Sequence, residues 1–431
     1  MNKRFGHLTR RSMLASSIAA LAVGATAQNA LAATELVGQL DDRAIIPVAD
    51  ALPQVAVSTE APSVMPKWVK IRADAAANWV IQQDTDDGMR FTMTPRKTDS
   101  LRGKRRNVLI LFFKTSSGYD AALPKMLDVF NSKKSNVSLT ILNFQSKPEL
   151  GQQAMEWAKS KDFDVVMPMG SEATEFVHER YREGSIPVVS VLAKDPVLMG
   201  QVRDFSRGSG TNMAYVSISV PIDVQLAYLK RLRPNIKNVA TMFAASNKSS
   251  IETQVRPLKE IAIPQGVNFV DVIVEDDKKA VEELREKVPV AVAQMKVTDP
   301  DLQNSVFWVT GSTSVFDNIG TIVEFSDRIP VLSVYPDVVK EGDASALLSV
   351  GVTYENSAYM SVVYALDILS GKSTPGEMKV GFISPPDIAI NFKKARQIGL
   401  KVPFSFFEAA SYIYDYQGKL VRKDGQIVAA V

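Results

Sequence analysis

The chain has 431 residues, of which 46% are hydrophobic, and a formal net charge of +3 at pH 7. This length allows two domains with sizeable cores, and the composition is ordinary for a globular protein. The chain contains no cysteine and only two histidines, which excludes disulfides, thiol catalysis, an N-terminal lipid-anchored cysteine and a zinc site of the usual kind.

The first 32 residues predict an export signal. Arg10 and Arg11 precede a run at residues 13–32 that is mostly Ala, Ser, Gly and Thr, whereas a membrane-spanning helix needs about 20 strongly apolar residues. A charged start, a short apolar middle and the small-x-small end Ala30-Leu31-Ala32 are typical of a secretory signal peptide cleaved after Ala32. The adjacent arginines resemble a twin-arginine export signal. We therefore expect a periplasmic protein without stable membrane insertion.

The net charge has a different meaning once this signal is removed. Four positive side chains (Lys3, Arg4, Arg10 and Arg11) lie in it and no acidic one, so subtracting four from +3 leaves −1 for residues 33–431. A nearly neutral chain does not favour a nucleic-acid partner, and we predict none.

Residues 33–103 differ in pattern from the rest of the chain. Residues 33–67 are rich in Ala, Pro and Val without clear periodicity, while residues 77–97 alternate around Asp87-Gly88, which is a hairpin signal. We interpret the segment as an N-terminal extension that could add strands to a neighbouring sheet. A mostly disordered arm is the alternative.

From residue 106 onwards, short apolar runs alternate with segments of helical spacing. The run NVLILFF at 107–113 is typical of a strand buried on both faces. The alternation continues to IPVVSVLA at 186–193, restarts at MAYVSISV at 213–220 and reaches IPVLSVY at 329–335. This pattern predicts an α/β fold of two Rossmann-like lobes, each with a parallel sheet and helices on both faces.

The C-terminal residues 413–431 predict a short β tail. Turn signals stand at Gln417-Gly418 and Asp424-Gly425, between short apolar or aromatic runs. Because the tail and the extension both have β patterns, the two could pack together.

Motifs for catalysis are absent from the sequence. It has no Gly-x-Ser-x-Gly elbow, no Walker phosphate loop and no Gly-x-Gly-x-x-Gly after the first strand. His178 stands among charged neighbours in a predicted helix, which favours a solvated side chain, and Asp276-Asp277 and Asp299-Asp301 lie in charged or turn-like stretches. We predict a protein that is not an enzyme and that uses no cofactor and no metal.

Polar residues come directly after the predicted strands, at the edge where open α/β sheets bind ligands. Helix N-termini come after several of these loops and offer free backbone N–H groups to an anion. The alternative is that each Ser, Thr or Asn only caps a helix. The loops are KTSSGY (114–119), NFQS (143–146), GSEA (170–173), AKDP (193–196), ASNKSS (245–250), TGSTS (310–314) and YPD (335–337).

Three stretches carry a family resemblance: IPVV followed by DPV within 186–197, LKRLRPNIKNVATMF at 229–243, and INFKKARQIGLKVPFSFFEAA at 390–410. Together they resemble the type I periplasmic substrate-binding proteins of ABC transporters, in the subgroup whose members bind tryptophan or other aromatic amino acids. The resemblance covers about residues 105–412. It implies two lobes joined by a hinge of crossing segments, which close on a ligand and then dock on a membrane permease, and a monomer.

The sequence patterns and the resemblance together give a division of the chain, and the resemblance implies a set of ligand-binding residues. The division is 1–32 signal peptide, 33–103 extension, 104–213 with 336–375 lobe 1, 214–335 with 376–412 lobe 2, and 413–431 tail. Asp337, at the return crossing, is the candidate for binding a ligand amino group. The implied ligand-binding residues are Ser116, Ser117, Tyr119, Ser171, Glu172, Lys194, Asp195, Ser249, Ser250, Ser312, Thr313, Tyr335 and Asp337.

The chain departs from the family pattern at three places in the pocket wall. Gly170-Ser171-Glu172-Ala173 replaces a Thr-Pro-Ala-Ala, residues 212–215 replace an Asn-Val-Thr-Gly turn, and Ala244-Ala245 replaces an Asn-Pro. The family's ligand therefore does not transfer directly. We expect the periplasmic component of an importer that binds an amino acid or a similar small polar solute. The alternative is a periplasmic sensory or accessory protein that signals through a protein partner.

Overall fold

The computed structural model of the protein describes residues 66–83 and 88–428. Within them, two sheets with helices on their faces form the fold, one of seven strands and one of nine. The predicted signal peptide and residues 33–65 of the predicted extension lie outside the described residues.

The first sheet is parallel except at one edge. Its spatial order is β1-β2-β4-β3-β5-β6-β7, with β2 antiparallel to β4 and β1 antiparallel to β2. The strands are β1 (Trp79–Gln83), β2 (Arg90–Pro95), β3 (Arg102–Phe112), β4 (Ser135–Asn143), β5 (Val165–Met169), β6 (Val188–Val189) and β7 (Met213–Ala214). The accompanying helices are α1 (Ala73–Ala76), α2 (Ser117–Ser132), α3 (Pro148–Ser160) and α4 (Ser171–Tyr181).

The second sheet has the order β16-β15-β14-β13-β12-β11-β10-β8-β9. Its strands are β8 (Asn238–Ala244), β9 (Asn268–Val274), β10 (Ser305–Val309), β11 (Val331–Ser333), β12 (Leu348–Gly351), β13 (Asp387–Asn391), β14 (Tyr412–Tyr414), β15 (Leu420–Lys423) and β16 (Gln426–Ile427). The remaining helices are α5 (Ile222–Leu232), α6 (Lys248–Ser250), α7 (Arg256–Ala262), α8 (Ala280–Lys296), α9 (Thr313–Phe316), α10 (Ile319–Phe325), α11 (Tyr354–Leu369), α12 (Phe392–Gln397) and α13 (Phe404–Ala409). A π-helical turn, Ile251–Val255, joins α6 to α7.

Strand β3 shows why the apolar runs form buried strands. Val108 and Ile110 belong to the main hydrophobic cluster, whereas Leu109 and Leu111 belong to a second cluster with Phe144 on the opposite face of the sheet. Alternate side chains of a strand point to opposite faces, so a strand covered on both sides must be apolar throughout. The prediction of two α/β units with mostly parallel strands and helices is confirmed.

The position of β12 differs from the division that the family resemblance implies. That division places residues 336–375 in lobe 1, but β12 pairs with β11 and β13 in the second sheet. The next helix, α11, packs on α2 of the first lobe. All four residues of β12 are buried, and the neighbouring strands β11 and β13 provide hydrogen-bond partners for its backbone N–H and C=O groups. The chain therefore crosses back after Gly351.

The two terminal β segments extend different sheets. Strands β1 and β2 pair from Trp79 opposite Pro95 to Gln83 opposite Phe91 at the edge of the first sheet. Strands β14 to β16 lie at the edge of the second sheet, so the described strands of the two segments do not pair with each other. The Trp68 ring lies 5.5 Å from that of Phe91. Residues 66–83 and 88–95 thus contribute to the core of lobe 1.

Across the described ranges, no helix combines the length and the apolar character that crossing a membrane requires.

Candidate functional site

The carboxyl ends of the parallel strands in both lobes meet at one cavity, which we call the cleft cavity. It has a volume of about 40 Å³, which is room for only a few water molecules, since each needs at least about 10–15 Å³ of such space. Its lining residues are Lys114, Ser116, Gly118, Tyr119, Gly170, Ser171, Glu172, Leu192, Lys194, Ile218, Asn247, Gly311, Thr313, Phe316, Tyr335 and Tyr354.

Direct contacts between the lobes close this cavity. The Ser116 and Thr313 hydroxyls lie 3.0 Å apart, and the Ser117 hydroxyl donates to the Asp317 carboxylate at 2.5 Å. The Lys194 ammonium donates to the Ser249 hydroxyl at 2.8 Å. Small-molecule pockets usually measure about 300–1,000 Å³. A ligand of amino-acid size therefore needs the lobes to move apart, by the hinge motion common in two-lobed binding proteins.

Gly170 fits the wall of the cavity closely around Tyr119. Its φ is 89°, a left-handed conformation that favours glycine. A Cβ atom at this position would lie 1.9 Å from the Tyr119 hydroxyl. The glycine thus leaves space for the Tyr119 hydroxyl. This packing explains why Gly170 stands where the family pattern has the threonine of Thr-Pro-Ala-Ala.

Lys194 places a cation inside the cavity. The residue is 6% exposed, and burial lowers the pKa of its ammonium to about 8 because desolvation disfavours the charged form. Glu172 opposes that shift, and the Glu172 carboxylate itself lies 3.6 Å from the Lys114 ammonium. The cavity therefore contains two cations and one carboxylate.

Aromatic rings form much of the remaining wall. The Tyr335 and Tyr354 ring centroids are 5.0 Å apart, and that of Phe316 lies 6.0 Å from that of Tyr335. Burial raises the pKa of Tyr119, Tyr335 and Tyr354, so each hydroxyl stays protonated at neutral pH. Among the described residues, none offers a hydrogen-bond partner to the buried Tyr354 hydroxyl.

A second cavity, which we call the hinge cavity, lies on the other side of Phe316 and Tyr354. It measures about 430 Å³ and is lined by Ser117, Ala121, Phe316, Asp317, Pro336, Asp337, Val338, Val339, Lys340, Thr353, Tyr354, Glu355, Tyr412, Tyr414 and Lys423. Asp337 accepts a hydrogen bond from the Tyr354 backbone N–H at 3.2 Å. Solvent reaches Asp337 through the cavity mouth, but the protein around its carboxyl raises its pKa to about 7 by desolvation.

The predicted ligand-binding residues divide between these places. Those that line the cleft cavity are Ser116, Tyr119, Ser171, Glu172, Lys194, Thr313 and Tyr335. Ser117 and Asp337 line the hinge cavity instead. Ser249 contacts the cleft through its hydrogen bond with Lys194.

Three predicted residues have local structural contacts. The Asp195 carboxylate accepts from the backbone N–H groups of Val197 and Leu198 at 2.8 and 3.0 Å. The Ser312 hydroxyl accepts from the backbone N–H of Ala244 at 3.2 Å. The Ser250 hydroxyl is buried in α6, and the described residues provide no hydrogen-bond partner for it. Backbone N–H groups thus occupy the side chains of Asp195 and Ser312, and neither side chain caps a helix.

Sequence reasoning did not select several residues of the cleft. Lys114 lies in the first strand-end loop, and Asn247 caps α6 by accepting from the Ser250 N–H at 3.0 Å. Phe316 and Tyr354 come from helices α9 and α11 rather than from strand ends. A tyrosine opening a helix directly after a short apolar strand was the available signal for Tyr354.

A larger cavity of about 720 Å³ lies elsewhere on the second lobe. Its walls include Val331 and Leu347, at the amino ends of β11 and β12, so it faces away from the cleft. It contains none of the predicted residues. We therefore place the candidate site at the cleft cavity, where two lobes and the strand carboxyl ends converge.

Comparisons with known proteins agree on one family. The model of the family described as ABC transporter substrate binding protein matches residues 114–412. A tyrosine-binding protein from Clostridioides difficile is 22% identical over 310 residues, which cover 71% of this chain and 84% of that protein.

Solved structures share the fold. An ABC domain from Streptococcus pneumonia in complex with L-Trp has a TM-score of 0.58 and 19% identity, and covers 72% of this chain and 100% of that one. The ligand-free, open structure of a substrate-binding protein with adhesive properties from Clostridium difficile has a TM-score of 0.52 and 22% identity, with 70% and 96% covered.

Proposed function

Because the chain belongs to the family of ABC transporter substrate-binding proteins, which bind solutes and are not enzymes, we propose that it is the periplasmic substrate-binding component of an ABC import system. It binds a small polar solute, an amino acid or a similar molecule, between its lobes. It then delivers that solute to a membrane permease and works as a monomer.

The observation that carries this proposal is the chemistry of the cleft cavity. A buried lysine, a carboxylate and four aromatic rings converge from two lobes on one small cavity. Contacts such as Lys194 with Ser249 form only when the lobes close, so a ligand that bridges them favours the closed form and shifts its population. The tyrosine-binding relative and the tryptophan-bound structure support a small solute with a carboxylate and an aromatic ring.

Export by the twin-arginine route is part of the proposal. It rests on Arg10, Arg11 and the cleavage pattern before residue 33, all outside the described residues. Fusing residues 1–32 to a reporter that must fold before export, with both arginines changed to lysine as the control, tests this step. Export of the control at the same level contradicts it.

The binding step is tested by thermal unfolding of residues 33–431. The protein is unfolded and refolded to remove carried-over ligand and then mixed with amino acids, sugars, nucleosides and small organic acids. A ligand that binds only the native state at a hundredfold excess over its Kd raises stability by about 2.7 kcal/mol. We expect a clear rise with one chemical class. A folded protein whose unfolding no compound shifts contradicts the proposal.

The second candidate is a sensory or accessory protein that signals through a protein partner. The observation favouring it is that the family match begins at residue 114, which leaves a long preceding segment. A deletion of residues 33–65 discriminates between the two candidates. It stops before Trp79, Phe91 and Met93 because these residues lie in the core. Unchanged uptake favours the importer. Lost function with unchanged ligand affinity favours the sensory role.

A further inference from the structure

We propose that the ligand of the cleft cavity is an aromatic carboxylate with a net charge of −1 and no amino group. This inference rests on the proposed solute-binding function and narrows its ligand class. It also assigns Lys194 as the residue that binds the ligand carboxylate, and Tyr354 as a hydrogen-bonding partner for a polar group on the ring.

The first argument is the charge balance of the cavity. Lys114 and Glu172 form an ion pair at 3.6 Å, whereas Lys194 donates to the neutral hydroxyl of Ser249 at 2.8 Å. Within the part of the chain that the structure describes, no carboxylate comes within ion-pair distance of the Lys194 ammonium. A buried charge is costly unless it is paired. The cavity therefore has one surplus positive charge, which a monoanion would neutralise.

The second argument concerns the amino group of a zwitterionic ligand. Of the nearby carboxylates, Asp195 is occupied by two backbone N–H groups, and Asp317 and Asp337 line the hinge cavity. An ammonium in the cleft would meet Glu172, which is already paired, together with the positive charges of two lysines. Like charges at close range repel in a low-dielectric site, so the cleft disfavours an amino acid relative to the same molecule without its amine.

The third argument is the shape and polarity of the walls. Tyr335 and Tyr354 have ring centroids 5.0 Å apart, and Phe316 lies 6.2 Å from Tyr354. Such rings favour offset or edge-on contact with another aromatic ring. The buried Tyr354 hydroxyl, for which the described residues supply no hydrogen-bond partner, suits a polar ring substituent.

The ligand carboxylate would also take part in lobe closure. The Lys194–Ser249 hydrogen bond joins the two lobes, and a cavity of about 40 Å³ has room for an aromatic acid only when the lobes move apart. A carboxylate accepting from both Lys194 and Ser249 would restore the connection through the ligand. Its binding then stabilises the closed form by a charge-assisted contact, which is stronger than the neutral one it replaces.

The test uses sets of three related molecules. One set is tyrosine, 3-(4-hydroxyphenyl)propionate, which lacks the amine, and tyramine, which lacks the carboxylate. The corresponding sets for phenylalanine and tryptophan have the same design. Affinities for the ligand-stripped protein are measured by calorimetry at neutral pH. We expect the amine-free acid of at least one set to bind tenfold or more tightly than its amino acid, and the decarboxylated amine not to bind.

Two matched lysine variants test whether Lys194 binds the ligand carboxylate. Lys194→Met removes the buried ammonium, and Lys340→Met makes the same change at an exposed side chain of the hinge cavity. We expect Lys194→Met to weaken the acid about 30-fold or more, as truncating a buried charged partner does, and Lys340→Met to leave its affinity unchanged. Unfolding temperatures without ligand confirm that both variants fold.

The outcomes separate this inference from the function on which it rests. Tighter binding of the amino acid than of its amine-free acid, with loss of that preference in Glu172→Gln, overturns the inference and leaves solute binding intact. Equal weakening by both lysine variants also overturns it. Failure of all nine probes together with a stabilising hit from the sugars or nucleosides overturns the aromatic carboxylate alone. Failure of every compound overturns the proposed function as well.

Discussion

The cleft cavity and the hinge cavity share a wall, formed by Phe316 and Tyr354, but differ in chemistry. The first is nearly filled and contains Lys194, whose ammonium donates to a neutral hydroxyl. The second is about ten times larger and contains Asp337, whose carboxylate accepts from a backbone N–H. Opposite charges that could pair are thus held on opposite sides of two aromatic rings.

This difference shows that neighbours in sequence need not serve one site. Tyr335 lines the cleft cavity, while Asp337, two residues later, lines the hinge cavity. The intervening Pro336 begins a 3₁₀ turn at Pro336–Val338 that redirects the chain. Desolvation lowers the pKa of Lys194 and raises that of Asp337. Proximity in one cavity would oppose both shifts, because opposite charges favour each other's ionised form.

The largest expected effect is on the pH dependence of binding. The pKa of Lys194 is about 8 and should rise when a carboxylate pairs with it. The affinity for 3-(4-hydroxyphenyl)propionate should then be constant below about pH 8 and fall up to about tenfold per pH unit above it, as the ammonium of the unbound protein loses its proton. Calorimetry between about pH 7 and pH 10 measures this profile.

The other charged and titratable groups facing Lys194 define the control for that profile. They are Glu172, Lys114, and the tyrosines 119 and 335, whose pKa burial raises further above neutrality. Lys194→Arg keeps a permanent charge and should flatten the profile, because arginine does not deprotonate in this range. A wild-type affinity that stays constant through pH 10 contradicts the assignment of Lys194.

The second prediction concerns the shared wall. In Tyr354→Phe the protein loses a buried hydroxyl for which the described residues provide no partner. Since leaving such a group unsatisfied is costly, the free energy of unfolding without ligand should rise by about 1 kcal/mol. Affinity for 3-(4-hydroxyphenyl)propionate should fall about 5- to 10-fold, and affinity for 3-phenylpropionate should not fall. Denaturant unfolding and calorimetry measure the two quantities.

A tyrosine with a hydrogen bond gives the matched control. The Tyr364 hydroxyl donates to the Lys379 carbonyl at 3.3 Å, so Tyr364→Phe should lower stability slightly and leave both affinities unchanged. If Tyr354→Phe destabilises the protein as Tyr364→Phe does, the Tyr354 hydroxyl has a partner in solution and its role toward a ligand is contradicted.

Some of these features can be predicted from the sequence, and others depend on long-range packing. The α/β lobes can be predicted from local patterns, because buried parallel strands such as β3 must be apolar on both faces. The strand-end loops predict that side chains such as Lys194 and Tyr335 face one cleft, since parallel strands present their carboxyl ends at one edge, and both residues line the cleft cavity. The presence of Phe316 and Tyr354 in the cleft cannot be predicted in this way, because it depends on how helices α9 and α11 of different lobes pack together. The separation of Asp337 from the cleft likewise depends on a long-range arrangement that no local pattern encodes.

The smallest expected effect is in the hinge cavity. Asp337 has a pKa near 7 in the folded protein, above the roughly 3.9 of an unfolded chain. A carboxyl with a raised pKa contributes stability at low pH that is lost as the pH rises from about 4 through about 7. Asp337→Asn removes this loss and keeps an oxygen to accept the Tyr354 N–H. The stability of Asp337→Asn relative to wild type should therefore increase across that pH range.

Because solvent reaches Asp337 and screens its charge, we expect the advantage of Asp337→Asn at pH 8 to be about 1–3 °C in Tm and to vanish near pH 4. Glu283 gives a control of opposite sign, since the Glu275 backbone N–H and Lys287 lower its pKa to about 2. Glu283→Gln should destabilise the protein at neutral pH, and this destabilisation should become smaller toward about pH 2.

Ligand affinity in the cleft should not change in Asp337→Asn. Weaker binding of an amino acid in this variant would place Asp337 in contact with the ligand and contradict the separation of the two cavities.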